Sequence, residues 1–86
     1  MQNPIKVLIL TNNIILVSHL MEVSADLGEP DCKLIEPFIV VQGTGELVPW
    51  CVDLTTQNEF MISSEKILTI ADPNPKLLEK YKSLIS

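Results

Sequence analysis

The stretch that most constrains this chain is residues 5–23, which predicts two β-strands joined by a tight turn. Two apolar runs, residues 5–10 and 14–21, flank Asn12-Asn13. Asn tolerates a positive φ better than most residues, so this pair between β-branched runs predicts a two-residue type I′ hairpin. Both faces are apolar, with Leu8, Leu10, Leu16 and Leu20 on one and Val7, Ile9, Ile15, Val17 and Met21 on the other. Such a hairpin has to be covered on both faces, by a barrel interior and by a second layer.

Short apolar runs separated by turn residues continue to residue 70. Further strands are predicted at residues 33–42, 46–53, 59–62 and 67–70. Pro37 and Pro49 fall inside two of them; proline cannot donate to a sheet ladder, so each marks a bulge or a strand edge. Short strands at this spacing predict a mainly β fold, a small, strongly bent antiparallel barrel of five or so strands over residues 5–70.

Residues 75–85 predict an amphipathic helix after the barrel, within a single domain spanning residues 1–86. Asn74 is a plausible N-cap and Pro75 suits the first helical position. One arc of the helix is apolar, consisting of Leu77, Leu78, Tyr81, Leu84 and Ile85. Packing on the barrel or on a neighbouring subunit is the favoured interpretation, and binding to a membrane surface is the alternative.

The chain carries more apolar surface than a domain of its size can bury. Of its 86 residues, 47% are hydrophobic and the mean hydropathy is +0.30. A domain this small buries only about three-fifths of its unfolded surface. The surplus predicts an interface between subunits.

The charge balance is acidic and uneven. The net charge is −5 and every cation is a lysine, a balance that disfavours strong non-specific binding of nucleic acid. Residues 76–86 nevertheless hold three of the six lysines and one of the eleven acidic residues.

The two cysteines, Cys32 and Cys51, lack the spacing of zinc ligands. We expect both to be buried thiols in a reducing compartment. No apolar stretch approaches a membrane span, so we expect a cytoplasmic protein.

Two stretches resemble the motifs of the Sm-like fold, which Sm, Lsm and Hfq proteins share. The first is Leu8-x-Leu10-Thr11-Asn12-Asn13 with Leu16-x-Ser18-x-Leu20-x-x-Val23, and the second is Met61-Ile62-Ser63-Ser64-x-x-Ile67-x-x-Ile70. The sequences of four further segments resemble those of a group of small proteins of marine cyanophages: Gly28-Glu29-Pro30, Glu36-Pro37, Pro49-Trp50 and Lys66-Ile67-Leu68-Thr69-Ile70. The cyanophage resemblance implies the host cytosol as the location if the chain is viral.

The Sm-like resemblance implies a five-stranded barrel whose copies join edge to edge in a homo-oligomeric ring of roughly five to seven subunits. Many members of the family bind RNA on the ring face or at the pore. The chain departs from the family pattern at Asn13 and Ser18, which replace glycines, and at Ser63 and Ser64, which stand where Arg-Gly is usual. The family's Asp-x-x-Met-Asn stretch is absent, and the helix follows the barrel instead of preceding it. The resemblance therefore implies a ring but not the usual base pocket.

The candidate contacts for single-stranded nucleic acid are Lys76, Lys80, Lys82, Tyr81, Ser63, Ser64 and His19. Trp50 is expected to anchor the core or an interface, with stacking on a base as the alternative. Other motifs favour structural interpretations. The acidic residues Asp26, Glu29 and Asp31 form a solvated loop, residues 43–45 form a hairpin tip, and Ser63 with Lys66 matches S-x-x-K outside the helix that acyl enzymes use.

Two functions remain as hypotheses at this stage. The first is a ring-forming module that contacts RNA or single-stranded DNA. The second is a protein-assembly or scaffold module that uses the ring or its exposed strand edges. We expect no cofactor, metal or membrane partner and no catalysis, because no nucleophile–base pair stands at a diagnostic spacing.

Overall fold

The structure, a computed structural model, describes residues 4–51 and 54–85. Within them lie six strands, a 3₁₀ turn (Ser64–Lys66) and one helix, α1 (Pro75–Ile85). The strands are β1 (Ile5–Leu10), β2 (Ile15–Glu22), β3 (Cys32–Val40), β4 (Leu47–Pro49), β5 (Glu59–Ile62) and β6 (Ile67–Ala71). The predicted mainly β fold with a C-terminal helix is confirmed. Among the described residues, however, the sheet has six strands instead of five and does not close. Residues 52–53, the predicted end of the fourth strand, lie outside the described residues.

The strands form one antiparallel sheet in the order β4-β3-β2-β1-β6. The outer side of β3 is shared, because its first half pairs with β5 and its second half with β4. β5 and β6 thus lie on opposite margins, four strand spacings apart, about 19 Å in a flat sheet. In sequence they are separated by little more than the 3₁₀ turn, whose three residues rise about 6 Å. The sheet therefore has to bend until its two margins approach each other.

The β1–β2 connection is a three-residue loop, and the prediction of a type I′ turn is wrong. The Asn13 N–H donates to the Leu10 carbonyl (2.9 Å), and the Leu10 N–H donates to the Ile14 carbonyl (2.9 Å). Type I′ needs a positive φ at both central residues. Here Asn13 has one, at 66°, whereas Asn12 does not. Asn12 instead accepts a hydrogen bond from the Ile14 N–H through its side-chain oxygen (3.2 Å), an Asx contact that stabilises the longer loop.

β3 contains a bulge at Glu36 and Pro37, as the position of Pro37 predicts. Between Val17 and His19, β2 advances two residues while β3 advances three. Glu36 has a φ of 54°, in the left-handed region that residues other than glycine seldom adopt. The extra residue and the missing proline N–H together break the hydrogen-bond ladder at this point.

The core lies on one face of the sheet, and the leucine face of the hairpin forms most of it. Its buried members are Leu8, Leu10, Leu16, Leu20, Cys32 and Leu34. The four hairpin leucines are those that the alternation predicts. The opposite face is covered unevenly, since Val17 is buried while Met21 is exposed.

Helix α1 covers part of that opposite face. Its start is as predicted: the Asn74 side-chain oxygen accepts from the Leu77 N–H (2.8 Å), and the Asn74 carbonyl accepts from the Leu78 N–H (2.9 Å). Tyr81, at the centre of the apolar arc, is fully buried, and its ring meets Phe38 edge-on with centroids 5.8 Å apart. The leucine face of the β1–β2 hairpin is thus buried in the core, whereas the helix covers the opposite face only in part.

Candidate functional site

The hydroxyl of Tyr81 fills the break that the bulge makes in the ladder. It donates to the Glu36 carbonyl (2.8 Å), with the Ile35 carbonyl at 3.2 Å, and it accepts from the His19 N–H (3.3 Å). The Ser18 hydroxyl donates to the His19 carbonyl (2.8 Å), with the Ile35 carbonyl at 3.1 Å. Side chains therefore satisfy the backbone groups that the bulge takes out of the sheet, as burial requires.

Burial also changes the acidity of Tyr81. Removal from solvent raises its pKa from 10.0 to about 12; the His19 N–H opposes this shift and the charge of Glu36 reinforces it. The neutral hydroxyl is the form that donates to the Glu36 carbonyl. Tyr81 is therefore a protonated structural anchor at physiological pH.

This burial removes Tyr81 from the predicted nucleic-acid contacts, because a ring that reaches no solvent has no face for a base. His19 lies beside it, half-buried, with its ring centroid 5.8 Å from that of Tyr81 and the planes tilted by 60°. Both residues belong to the layer between sheet and helix.

The three candidate lysines of α1 do not share one flank. At 100° per residue, Lys76 and Lys80 lie one turn apart on one side of the apolar arc, whereas Lys82 lies on the other side. The Lys80 ammonium donates to the Gly45 carbonyl (2.9 Å) at the tip of the β3–β4 hairpin. Lys76, Lys80 and Thr44 line a depression of about 290 Å³. Two of the lysines therefore converge, and the third does not join them.

Ser63 and Ser64 are placed at the other end of β3 from those lysines. Ser64 donates to the two carboxylate oxygens of Asp31 from its N–H and its hydroxyl, each at 2.7 Å. These bonds lower the pKa of Asp31, the backbone bond contributing most. Asp31 directly precedes β3, while Gly45 lies beyond its other end. The serines and the lysines therefore mark opposite ends of a nine-residue strand, up to roughly 26 Å apart if it were straight.

The sheet margin formed by β6 is apolar and unfinished. Ile70 pairs with Leu8 and so shares its face, yet Leu8 is fully buried and Ile70 is 48% exposed. Leu68 on the same strand is 62% exposed. Among the described strands, β6 pairs with β1 alone, and residues 67–71 include no charge and no proline. We call Leu68 and Ile70, together with the backbone of β6, the open margin.

The opposite margin, formed by β5, also has an outer side that pairs with no described strand. Met61 on this strand is 50% exposed. Glu59 at the start of β5 forms an ion pair with Lys33 on the neighbouring strand β3 (2.7 Å). Each margin thus carries a half-exposed apolar side chain and unpaired backbone groups.

A groove of about 500 Å³ lies where β3 passes from β5 to β4, and the sequence did not predict it. Trp50 and Phe60, with ring centroids 5.5 Å apart, line it together with Leu84 at the end of α1. Glu36 and the polar residues 55–58 also line it, as do Pro37, Phe38, Pro49 and Ile85. We call this the Trp50 groove. Its walls come from segments distant in sequence, so the signal available beforehand was Trp50 itself, expected to anchor the core or an interface.

Comparison with known proteins adds a family to this geometry. A family model described as DUF6561, a family of unknown function, matches residues 3–86. The chain belongs to that family. No curated protein matches the chain. The open margin and the Trp50 groove both lie within the segment that the DUF6561 model matches.

Other candidate chemistry of this DUF6561 protein finds no support among the described residues. Residues 4–51 and 54–85 contain no cluster of three or more His, Cys, Asp or Glu side chains placed to hold a metal ion. Asp31 bonds Ser64, as described above. Cys32 is buried and Cys51 half-buried, and neither forms a disulfide. In the described part of the chain, no helix has the length and apolar character needed to cross a bilayer.

Proposed function

We propose that this DUF6561 protein is a self-assembling module whose copies join edge to edge into a ring and which performs no catalysis of its own. The observation that carries the proposal is the contrast between Ile70 and Leu8, which share a face although Leu8 is buried and Ile70 half exposed. A core layer that reaches the margin of a sheet and stops there is extended by an added strand.

The partner strand proposed for β6 is β5 of a second copy. The two strands lie on opposite margins, so their pairing is head to tail, and a head-to-tail contact generates a ring when its rotation closes. Leu68 and Ile70 of one copy would then be covered by the strand carrying Met61 of the next.

The energetics favour a ring over an isolated pair. Covering three half-exposed side chains stabilises one contact by on the order of 3 kcal/mol. Association costs about 4–15 kcal/mol, and each new backbone hydrogen bond contributes only about 1 kcal/mol net. A single contact is therefore weak. In a closed ring every copy makes two contacts. The contact that closes the ring joins copies already held in the same assembly, so it does not carry the full cost of association.

The substitution Leu68→Lys tests this proposal. A charge on an exposed edge strand opposes strand addition, so we expect native mass spectrometry to show a ring for the wild type and single subunits for the variant. The circular dichroism spectrum should stay unchanged, because Leu68 is largely exposed within one chain. Leu27→Lys is the matched control, since Leu27 is fully exposed in the β2–β3 loop and belongs to no strand of either margin. A wild type that stays monomeric at high micromolar concentration, or equal dissociation by both substitutions, contradicts the proposal.

A second candidate function is contact with single-stranded RNA or DNA, and the convergence of Lys76 and Lys80 on one depression favours it. A ring would repeat this pair once per subunit, giving a local positive potential despite the acidic total. We expect a short oligonucleotide to bind at low salt and to lose affinity steeply as salt rises. Replacing Lys76 and Lys80 together by Gln should abolish binding, while Lys82→Gln, on the other flank of α1, should not. Binding that survives the double substitution would exclude this site.

A further inference from the structure

We propose that the Trp50 groove binds a cationic, proline-rich peptide segment of a partner protein in the extended polyproline II conformation. This site is separate from the open margin and is contained within one chain. Its volume, about 500 Å³, lies within the range of sites that bind small ligands and short segments.

The lining of the groove determines the charge of its ligand. Glu36 is the one ionisable residue among the described residues that line it, and neither of the ion pairs in the described part of the chain involves Glu36. A groove lined by one carboxylate residue together with the rings of Trp50 and Phe60 favours a cationic ligand. The cation can pair with the carboxylate, and an aromatic face also stabilises it. The same carboxylate repels phosphate, so the groove disfavours nucleic acid.

The backbone of the groove determines the conformation of its ligand. The Glu36 N–H donates to the Asn58 carbonyl (2.7 Å), and the Trp50 N–H donates to the Pro37 carbonyl (3.1 Å). Pro37 has no N–H at all. A strand added at this point would find these donors already occupied, so a ligand has to be held by side-chain contacts. Polyproline II segments bind in this way, because they dock on aromatic-lined grooves without forming a ladder.

Backbone conformation gives a second indication at the same place. Glu36, in the groove, and Cys51, next to Trp50, have φ values of 54° and 61°. Residues other than glycine in the left-handed region cost roughly 1–3 kcal/mol each and gather at binding sites. Glu36 itself lines the Trp50 groove, and Cys51 directly follows Trp50, which also lines it.

Trp50 provides the measurement, because it is the only tryptophan in the sequence. The probe is a short synthetic peptide with P-x-x-P spacing and one arginine, titrated into the full-length protein while Trp50 fluorescence is recorded. We expect saturable binding that weakens at least roughly tenfold when the arginine is replaced by glutamate. Replacing the prolines by alanine at constant charge should weaken it by a similar factor.

The substitution Glu36→Gln should remove the preference for arginine over glutamate, whereas Glu29→Gln, an exposed loop carboxylate, should leave it intact. Salt should weaken the arginine peptide more than a neutral one, a measurement that needs no variant. Leu68→Lys should leave peptide affinity unchanged, so failure of ring assembly and failure of this proposal are distinguishable.

Several outcomes would overturn the proposal. Free arginine amide binding as tightly as the peptide would assign the groove to a small cation. Equal affinity for the alanine peptide would exclude polyproline II recognition. A response to oligonucleotide but not to peptide would assign the groove to nucleic acid, and no fluorescence change at millimolar peptide would leave the groove without this function.

Discussion

The helix-covered face of the sheet and its open margin both carry apolar side chains, but only the first is covered by another part of the chain. Under α1, Tyr81 is fully buried and its hydroxyl bonds the bulged backbone. At the open margin, Ile70 and Leu68 remain about half exposed, and β6 pairs with no described strand beyond β1. The chain thus completes one apolar surface with its own helix, whereas the other requires an added strand.

The difference shows that apolar content alone does not reveal where a small domain associates. The high hydrophobic fraction predicts an interface somewhere, but the odd-numbered face of the hairpin and the margin of β6 are equal candidates from sequence. The helix covers the first. The second is left for a partner, and its backbone groups make that partner a strand.

Truncating Tyr81 should have the largest effect on stability. Tyr81→Ala removes a fully buried aromatic ring, which costs about 3–5 kcal/mol in the free energy of unfolding. A domain of this length is stable by only about 4–13 kcal/mol. Leu68→Ala, at a dilution where the chain is monomeric, should cost less than about 0.5 kcal/mol. Urea denaturation followed by circular dichroism measures both, and equal losses would show that the two regions do not differ as described.

Removing the Tyr81 hydroxyl alone should have a smaller effect that depends on pH. Tyr81→Phe leaves the His19 N–H and the Glu36 carbonyl without their partner, at a cost of about 1–3 kcal/mol near neutral pH. Because burial raises the pKa of Tyr81 from 10.0 to about 12, the folded state keeps a proton that the unfolded chain loses. The Tyr81 contribution is therefore fully present below pH 10 and is lost as pH rises through about 12.

The matched measurement is the difference in unfolding free energy between wild type and Tyr81→Phe from pH 8 to pH 12. This difference in unfolding free energy should become smaller above pH 10, because the wild type loses the contribution of the Tyr81 hydroxyl as pH rises and Tyr81→Phe has no such contribution to lose. A difference that stays constant over this range would show that burial does not raise the pKa of the Tyr81 hydroxyl in the folded state. The contrast between the helix-covered face and the open margin would then rest on packing of the Tyr81 ring alone.

Local chemistry made much of the fold predictable. The alternation in the first hairpin predicted the four core leucines. Pro37 predicted either a bulge or a strand edge, and the structure has the bulge. Asn74 and Pro75 placed the start of α1 because capping is decided within one turn. The hairpin type was not predictable to the same degree. The loop is one residue longer than the predicted two-residue turn, and the Asx contact of Asn12 stabilises it.

The sequence by itself determined the periodicities and the caps, because these depend on neighbours a few positions apart. It also determined the high apolar content, which is a property of composition alone. Only the tertiary structure decided which apolar surfaces are covered and what meets in the Trp50 groove, where Glu36, Trp50, Phe60 and Leu84 come together from four separate segments. It also placed Tyr81, expected among the binding residues, at the bulge of β3, 45 residues earlier in the chain. Contacts at such separations arise from the bending of the sheet, which no local pattern specifies.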